Sequence, residues 1–219
     1  MEAKVKKILF ITILLAISAN CFGADIHDAI SKGNLEEVKL LIEQDSKNIE
    51  KPEWSTGQHP IQRVIVFSYH KAKNKKEKEK YLEIVKYLQE KGAMLQYPNK
   101  EVESWPKNLA AGLGELDIVK HFIKTKEDTK KIDKDQGYKG KTPLYWAIYK
   151  ENKGLLLEGT KKKLFKVIKY LVSKNAKITD EMIKNASPKV KEFLLQKIKD
   201  QQQKIKDLEK RASYVIEKI

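Results

Sequence analysis

Histidine and cysteine are the residues in this chain with the widest chemical reach, and both are scarce. There are four histidines, His27, His59, His70 and His121, and one cysteine, Cys21, in 219 residues. A metal site needs ligands that return to one face, typically as close pairs along the chain. No two of these histidines stand three or four residues apart. Gly112-Leu113-Gly114 is too short for a phosphate loop: it lacks the flanking GxxxxGK[ST] frame and follows no strand pattern. No Cys–His, Ser–His–Asp or paired-carboxylate arrangement stands out either. The expectation is a non-enzymatic protein with no metal and no cofactor.

The elements that must carry any function are therefore surfaces. Apolar residues make up 41% of the chain, enough for a folded core. Lysine and arginine number 45 against 30 acidic residues, a formal charge of +15. That excess favours an acidic partner. Residues 1–23 have a basic start (Lys4, Lys6, Lys7), an apolar run from Ile8 to Ala19, and small residues near Gly23. This pattern predicts a secretory signal peptide cut after Gly23. The remaining chain would carry 42 basic and 29 acidic residues, +13, and no cysteine, which suits an oxidising compartment. The implied location is the periplasm or cell envelope. A rival reading makes Cys21 a lipidated N-terminus, although Asn20 before it departs from the usual small residue.

A phrase recurs along the rest of the chain. Leu35-Glu36-Glu37-Val38-Lys39-Leu40-Leu41 is followed by Leu82-Glu83-Ile84-Val85-Lys86-Tyr87-Leu88, by Leu116-Asp117-Ile118-Val119-Lys120-His121-Phe122, and by Phe165-Lys166-Val167-Ile168-Lys169-Tyr170-Leu171. Each has apolar residues at helical spacing. Upstream of each lies a shorter apolar helix pattern centred on Ala29, Val64, Ala110 or Ala147. The steps from that centre to the second-helix Val or Ile are 9, 21, 9 and 21 residues. A regular helix pair thus alternates with one carrying an insertion, near 68–80 and 152–163. The insertions are read as lengthening both helices of their pair.

Thr142-Pro143-Leu144-Tyr145-Trp146-Ala147 resembles the Thr-Pro-Leu-His-x-Ala signature of the ankyrin-repeat family, with tyrosine in place of histidine. Lys107-Asn108-Leu109-Ala110-Ala111-Gly112-Leu113-Gly114-Glu115-Leu116-Asp117-Ile118-Val119-Lys120 resembles its first-helix, turn and second-helix core, and Ile26-His27-Asp28-Ala29-Ile30-Ser31-Lys32-Gly33-Asn34-Leu35 is similar to another copy that keeps the histidine. His59-Pro60-Ile61-Gln62-Arg63-Val64 is a looser copy. Thr142 is placed to cap a helix and Pro143 to occupy its first position. Gly33 and Gly114 are placed for a left-handed turn. The resemblance implies an all-α solenoid of four to five helix pairs over residues 24–188, completed by a long C-terminal helix over 189–219.

In that helix Leu194, Ile198, Gln201, Ile205, Leu208, Ala212, Val215 and Ile219 alternate by four and three, a heptad seam. Asp200 with Lys204, and Asp207 with Arg211, stand at ion-pair spacing. The helix reads as a cap whose end projects or folds back, or as a homodimer or partner helix.

Ankyrin arrays bind proteins through loop tips and first helices, so the resemblance points to another protein as partner. The contact candidates are Trp54, Arg63, Tyr97, Tyr138, Lys139, Tyr145 and Tyr149, with Trp54 and Tyr138 preferred because polar loop residues surround them. Trp105 and Trp146 are expected to pack between helix pairs. Nucleic acid is not expected, because the lysines lack interleaved aromatics. Two other readings stand beside this one. The lysine-rich insertions would attach to an anionic envelope polymer or membrane surface, or the chain would be an immunity-type or protective partner of another exported protein.

Overall fold

The structure, a computed structural model, describes residues 25–95, 105–124, 128, 141–153 and 157–216, with side chains as far as Ser213. All helical and strand-like structure among these residues is helix, so the chain is all-α. The signal-peptide segment with Cys21 lies outside the described residues, as do Tyr97, Tyr138 and Lys139. The chain forms two compact units, one ending at Met94 and the other beginning at Leu95.

The first unit holds two helix pairs. Helix α1 (Ile26–Ser31) is followed by α2 (Leu35–Gln44) and a short 3-10 turn, Ser46–Ile49. Then come α3 (Pro60–Lys71) and α4 (Lys75–Glu90). First helix packs on first helix, α1 on α3, and second on second, α2 on α4. Buried Ala29, Ile30, Val38, Ile61, Val64, Ile65, Ile84, Val85 and Leu88 form the shared core. Their spacing of three and four puts each set on one helix face.

The second unit repeats the plan. Helices α5 (Pro106–Leu113) and α6 (Leu116–Phe122) precede α7 (Pro143–Asn152) and α8 (Glu158–Ser173), then α9 (Asp180–Lys184) and α10 (Pro188–Ile216). Again α5 packs on α7 and α6 on α8, while α9 packs on α7 and α10. Ala110, Ala111 and Ala147 are fully buried on the first helices, where the absence of a long side chain lets helix axes come close. Helices α4 and α8 each have 16 residues, against 7 in α6, and each is the second helix of a pair carrying an insertion.

The turns show the repetition at backbone level. The Asn34 N–H bonds the Ala29 carbonyl at 3.0 Å, and the Glu115 N–H bonds the Ala110 carbonyl at 3.0 Å. Both close over a left-handed glycine, Gly33 at φ 64° and Gly114 at φ 74°, the arrangement that ends a helix with its last carbonyls satisfied. A Cβ on Gly114 would also lie 3.1 Å from the Lys163 Cβ, so any larger residue here would press α8 outward by a few tenths of an ångström. The second helices of the longer pairs end in a matching way. The Ala93 N–H reaches Leu88 O over Gly92, and the Ala176 N–H reaches Leu171 O over Asn175, both left-handed. Helix starts are capped by Asn34, Asn74, Thr142 and Thr179, whose side chains accept a backbone N–H three residues on.

Helix α10 runs 29 residues, roughly 43 Å at 1.5 Å per residue. Val190 and Leu194 are buried in the unit, and the Phe193 ring meets Phe165 of α8 edge-on. From Lys199 to Ser213 every side chain is exposed. The expected Asp200–Lys204 and Asp207–Arg211 pairs do not form. Asp200 instead accepts from Gln196 at 2.8 Å and Lys197 at 3.1 Å, and Asp207 accepts from Gln203 at 2.9 Å. Glutamine one turn earlier competes for the same carboxylate without a second charge to desolvate.

Candidate functional site

The loop between Glu50 and His59 is built on the first unit by two histidines. The His27 Nε2 lies 2.8 Å from the Lys51 carbonyl, and the His59 Nδ1 lies 2.9 Å from the Glu50 carbonyl. A carbonyl only accepts, so each ring nitrogen donates. The Glu50 carboxylate also reaches His59 at 3.1 Å and takes the Met94 N–H at 2.6 Å. The root of the loop is thereby tied to α1, to α3 and to the end of the unit.

The tip is held from within. The Glu53 N–H bonds Gln58 O at 2.8 Å, and the Gly57 N–H bonds Glu53 O at 2.7 Å with Gly57 left-handed at φ 63°. The Glu53 carboxylate accepts from the Ser55 hydroxyl at 2.7 Å, from the Thr56 hydroxyl at 2.6 Å and from the Thr56 N–H at 2.8 Å. The Thr56 and Ser55 hydroxyls hold this carboxyl down at about 2. Trp54 sits inside this frame and is 92% exposed. Arg63 adjoins it: its Nη1 donates to Gln58 Oε1 at 3.4 Å, and its guanidinium lies 4.4 Å from the centre of the Phe67 ring. Lys71 lies over the same ring at 4.5 Å. Arg63, Phe67 and Lys71 thus form a column at four-residue spacing along α3.

Helix α7 of the second unit carries a related column. The Lys141 ammonium lies 5.1 Å over Tyr145, Tyr145 stacks on Tyr149 with ring centres 5.9 Å apart, and Lys153 lies 4.6 Å over Tyr149. Tyr145 is buried and Tyr149 half-buried, so Tyr149 and the two lysines offer more of this column to solvent. Trp146 meets both tyrosine rings edge-on, is 7% exposed, and its buried indole N–H has no partner among the described residues.

Of the residues singled out from sequence, the structure stacks Tyr145 on Tyr149 in the second unit, while in the first it places Trp54 at the tip of the loop and Arg63 against Gln58 at the loop's end. Sequence reasoning missed Glu53, Phe67 and Lys153, and read Lys71 only as part of the lysine-rich insertion. The repeated four-residue step from Lys141 to Lys153 was a signal available for the second column. The Glu-Trp-Ser-Thr-Gly order was one for the tip, because hydroxyls just after a carboxylate fold back on it. Among the described residues no group of His, Cys, Asp and Glu is placed to hold a metal. No helix among them is long and apolar enough to cross a membrane.

Among the described residues the chain is all-α, each unit stacks one helix pair on another, and the surface carries an internally hydrogen-bonded tryptophan loop and cation–aromatic columns at α3 and α7. Set against family models and curated proteins, the chain matches none.

Proposed function

We propose that this is an exported, ankyrin-type solenoid that binds another protein and catalyses no reaction. The helix pairs with first helix on first helix, and the glycine turns recurring at equivalent places, support the ankyrin-type arrangement. The observation that carries the binding role is Trp54. An indole left in water costs free energy unless something covers it, and here the surrounding loop is hydrogen-bonded on every side. A loop ordered in advance loses little entropy when a partner docks, and tryptophan and arginine dominate interface hot spots. The partner surface on the first unit is therefore Trp54, with Arg63 held to Gln58 of the same loop. Tyr149, with Lys141 and Lys153, forms the corresponding surface on the second. The cations flanking both surfaces favour an acidic partner.

The test is photo-crosslinking from position 54 in the native envelope. One protein should be captured reproducibly, and Trp54→Ala with Arg63→Ala should abolish its co-purification with the intact chain. Co-purification that survives both changes refutes the site.

The electrostatic reading has its own observation. Lys71, Lys73, Lys75, Lys76 and Lys80 are all exposed at the end of α3 and the start of α4. Capture by an anionic polymer that collapses as salt is raised would favour it, whereas salt-resistant capture of one protein would not.

A further inference from the structure

Among the described residues the outer half of α10 has no neighbour, and its residues show what kind of neighbour it fits. Ile198, Ile205, Leu208 and Ala212 line one face with Gln201 among them. Ile205 and Leu208 are each 55% exposed. A stripe at this spacing is the seam of a two-helix contact. One edge of the seam carries Lys197, Lys204 and Arg211, and the other carries Leu195, Gln202 and Glu209. The carboxylates that could neutralise the basic edge are already engaged. Asp200 is bonded to Gln196 and to Lys197, itself on that edge, and Asp207 to Gln203, which leaves Lys204 and Arg211 without an ion pair among the described residues.

A second copy of the chain fits poorly. In an antiparallel pair the basic edges face each other, with Lys204 against Arg211 of the other copy, and like charges across a seam repel. In a parallel pair Lys204 would meet Glu209, but the seam continues inward through Leu194, which the unit's own helices bury. The partner helix would have to run through that space. We infer that the seam of α10 from Ile198 to Ala212 docks an amphipathic helix of a different protein, one with carboxylates along the edge that meets Lys204 and Arg211. The apolar stripe supplies the burial, the basic edge selects the partner, and Gln201 sets the register. This surface is separate from the Trp54 loop and stands or falls independently of it.

The test uses the full chain and two synthetic four-heptad peptides with Ile and Leu at the core positions. One peptide carries Glu, and the other Lys, at every edge position. The Glu peptide repels itself, so its helicity reports on the added protein. The full chain should bind the Glu peptide saturably, with a gain in helix signal, and bind the Lys peptide at least about tenfold more weakly. Ile205→Lys with Leu208→Lys should abolish Glu-peptide binding although it adds positive charge, which separates seam docking from general attraction to a basic protein. Lys204→Glu with Arg211→Glu should reverse the preference between the peptides. All four positions are exposed, so the variants should keep the parent circular dichroism. Equal binding of both peptides, or binding that survives the Ile205 and Leu208 changes, overturns the proposal. So does a homodimer in sedimentation equilibrium that those changes dissolve, or seam-dependent partition onto phosphatidylglycerol vesicles.

Discussion

Trp54 stands 92% exposed in a loop of the first unit, while Trp146 is 7% exposed in a helix of the second. Each position is specified by different forces. Around Trp54 the chain spends its polar groups on one another, so the backbone holds its shape without help from the indole. Around Trp146 the indole is itself the filling. It meets Tyr145 and Tyr149 on one helix and lies beneath the Lys141 ammonium, 5.5 Å from its ring. The buried N–H with no partner is a cost that the apolar contacts outweigh. The difference separates a residue that shapes the protein from one that the protein displays.

The largest expected effect follows from the buried member. Trp146→Ala should destabilise the protein by about 3–5 kcal/mol, the usual cost of emptying a large aromatic site. Trp146→Phe should cost much less, because it keeps most of the ring contact and removes the unpaired N–H. Urea denaturation of both variants reads the contrast. An alanine variant as stable as the parent would mean that α5, α7 and α8 pack without this ring.

A smaller effect is expected from acid, through the root of the Trp54 loop. Burial holds the His27 imidazole below its ordinary 6.5, against the Lys51 carbonyl bond and the charges of Asp25 and Glu53, while Arg63 adds to the lowering. Its Nε2 proton is already given to Lys51 O, so a second proton would go to Nδ1, which is buried and has no acceptor. A base whose folded value is depressed favours folding when neutral. The stabilisation is complete above 6.5 and declines as pH falls below it. Thermal melts from pH 8 to pH 5 should show this decline in the parent. In His27→Gln, which keeps a donor for Lys51 O but does not titrate, the decline should be shallower. Parallel curves would remove His27 as the cause.

The sequence made some of these features legible and hid others. The alternation of short and long helix pairs was visible because apolar periodicity survives insertions of charged residues. Gly33, Gly114 and Thr142 adopt the turn and cap conformations that their residue types suggest. Asn175 does the same work as Gly92, but asparagine occupies so many conformations that only its place in the repeat reveals the role. The exposure of Trp54 was readable from its polar neighbours. The column through Tyr149 was legible only as a four-residue step from Lys141 to Lys153, and in neither column does residue type alone say which cation covers which ring. In α10 the acidic partners were misassigned, since Gln196 and Gln203 compete with lysine and arginine for the same carboxylates.

The smallest expected effect on stability belongs to Trp54 itself, and it is the sharpest probe of the contrast. Trp54→Ala should change folding stability by no more than about 0.5 kcal/mol, as for other exposed positions, while removing the proposed partner contact. Glu53→Ala should do something different. The indole remains, but the Ser55 and Thr56 hydroxyls and the Thr56 N–H lose their acceptor. The loop should then sample other shapes, and binding should fall with Trp54 still in place. Fluorescence anisotropy of the indole, measured with Trp105 and Trp146 replaced by Phe, reads that loosening directly. The same probe has a pH signature. Glu53 has a depressed value of about 2, so its ordering of the tip should be complete above 4.5 and lost only as pH falls through about 2. If Trp54 is as mobile at pH 7 in the parent as in Glu53→Ala, the carboxylate frame does not hold the loop, and the distinction between the displayed and the buried tryptophan rests on exposure alone.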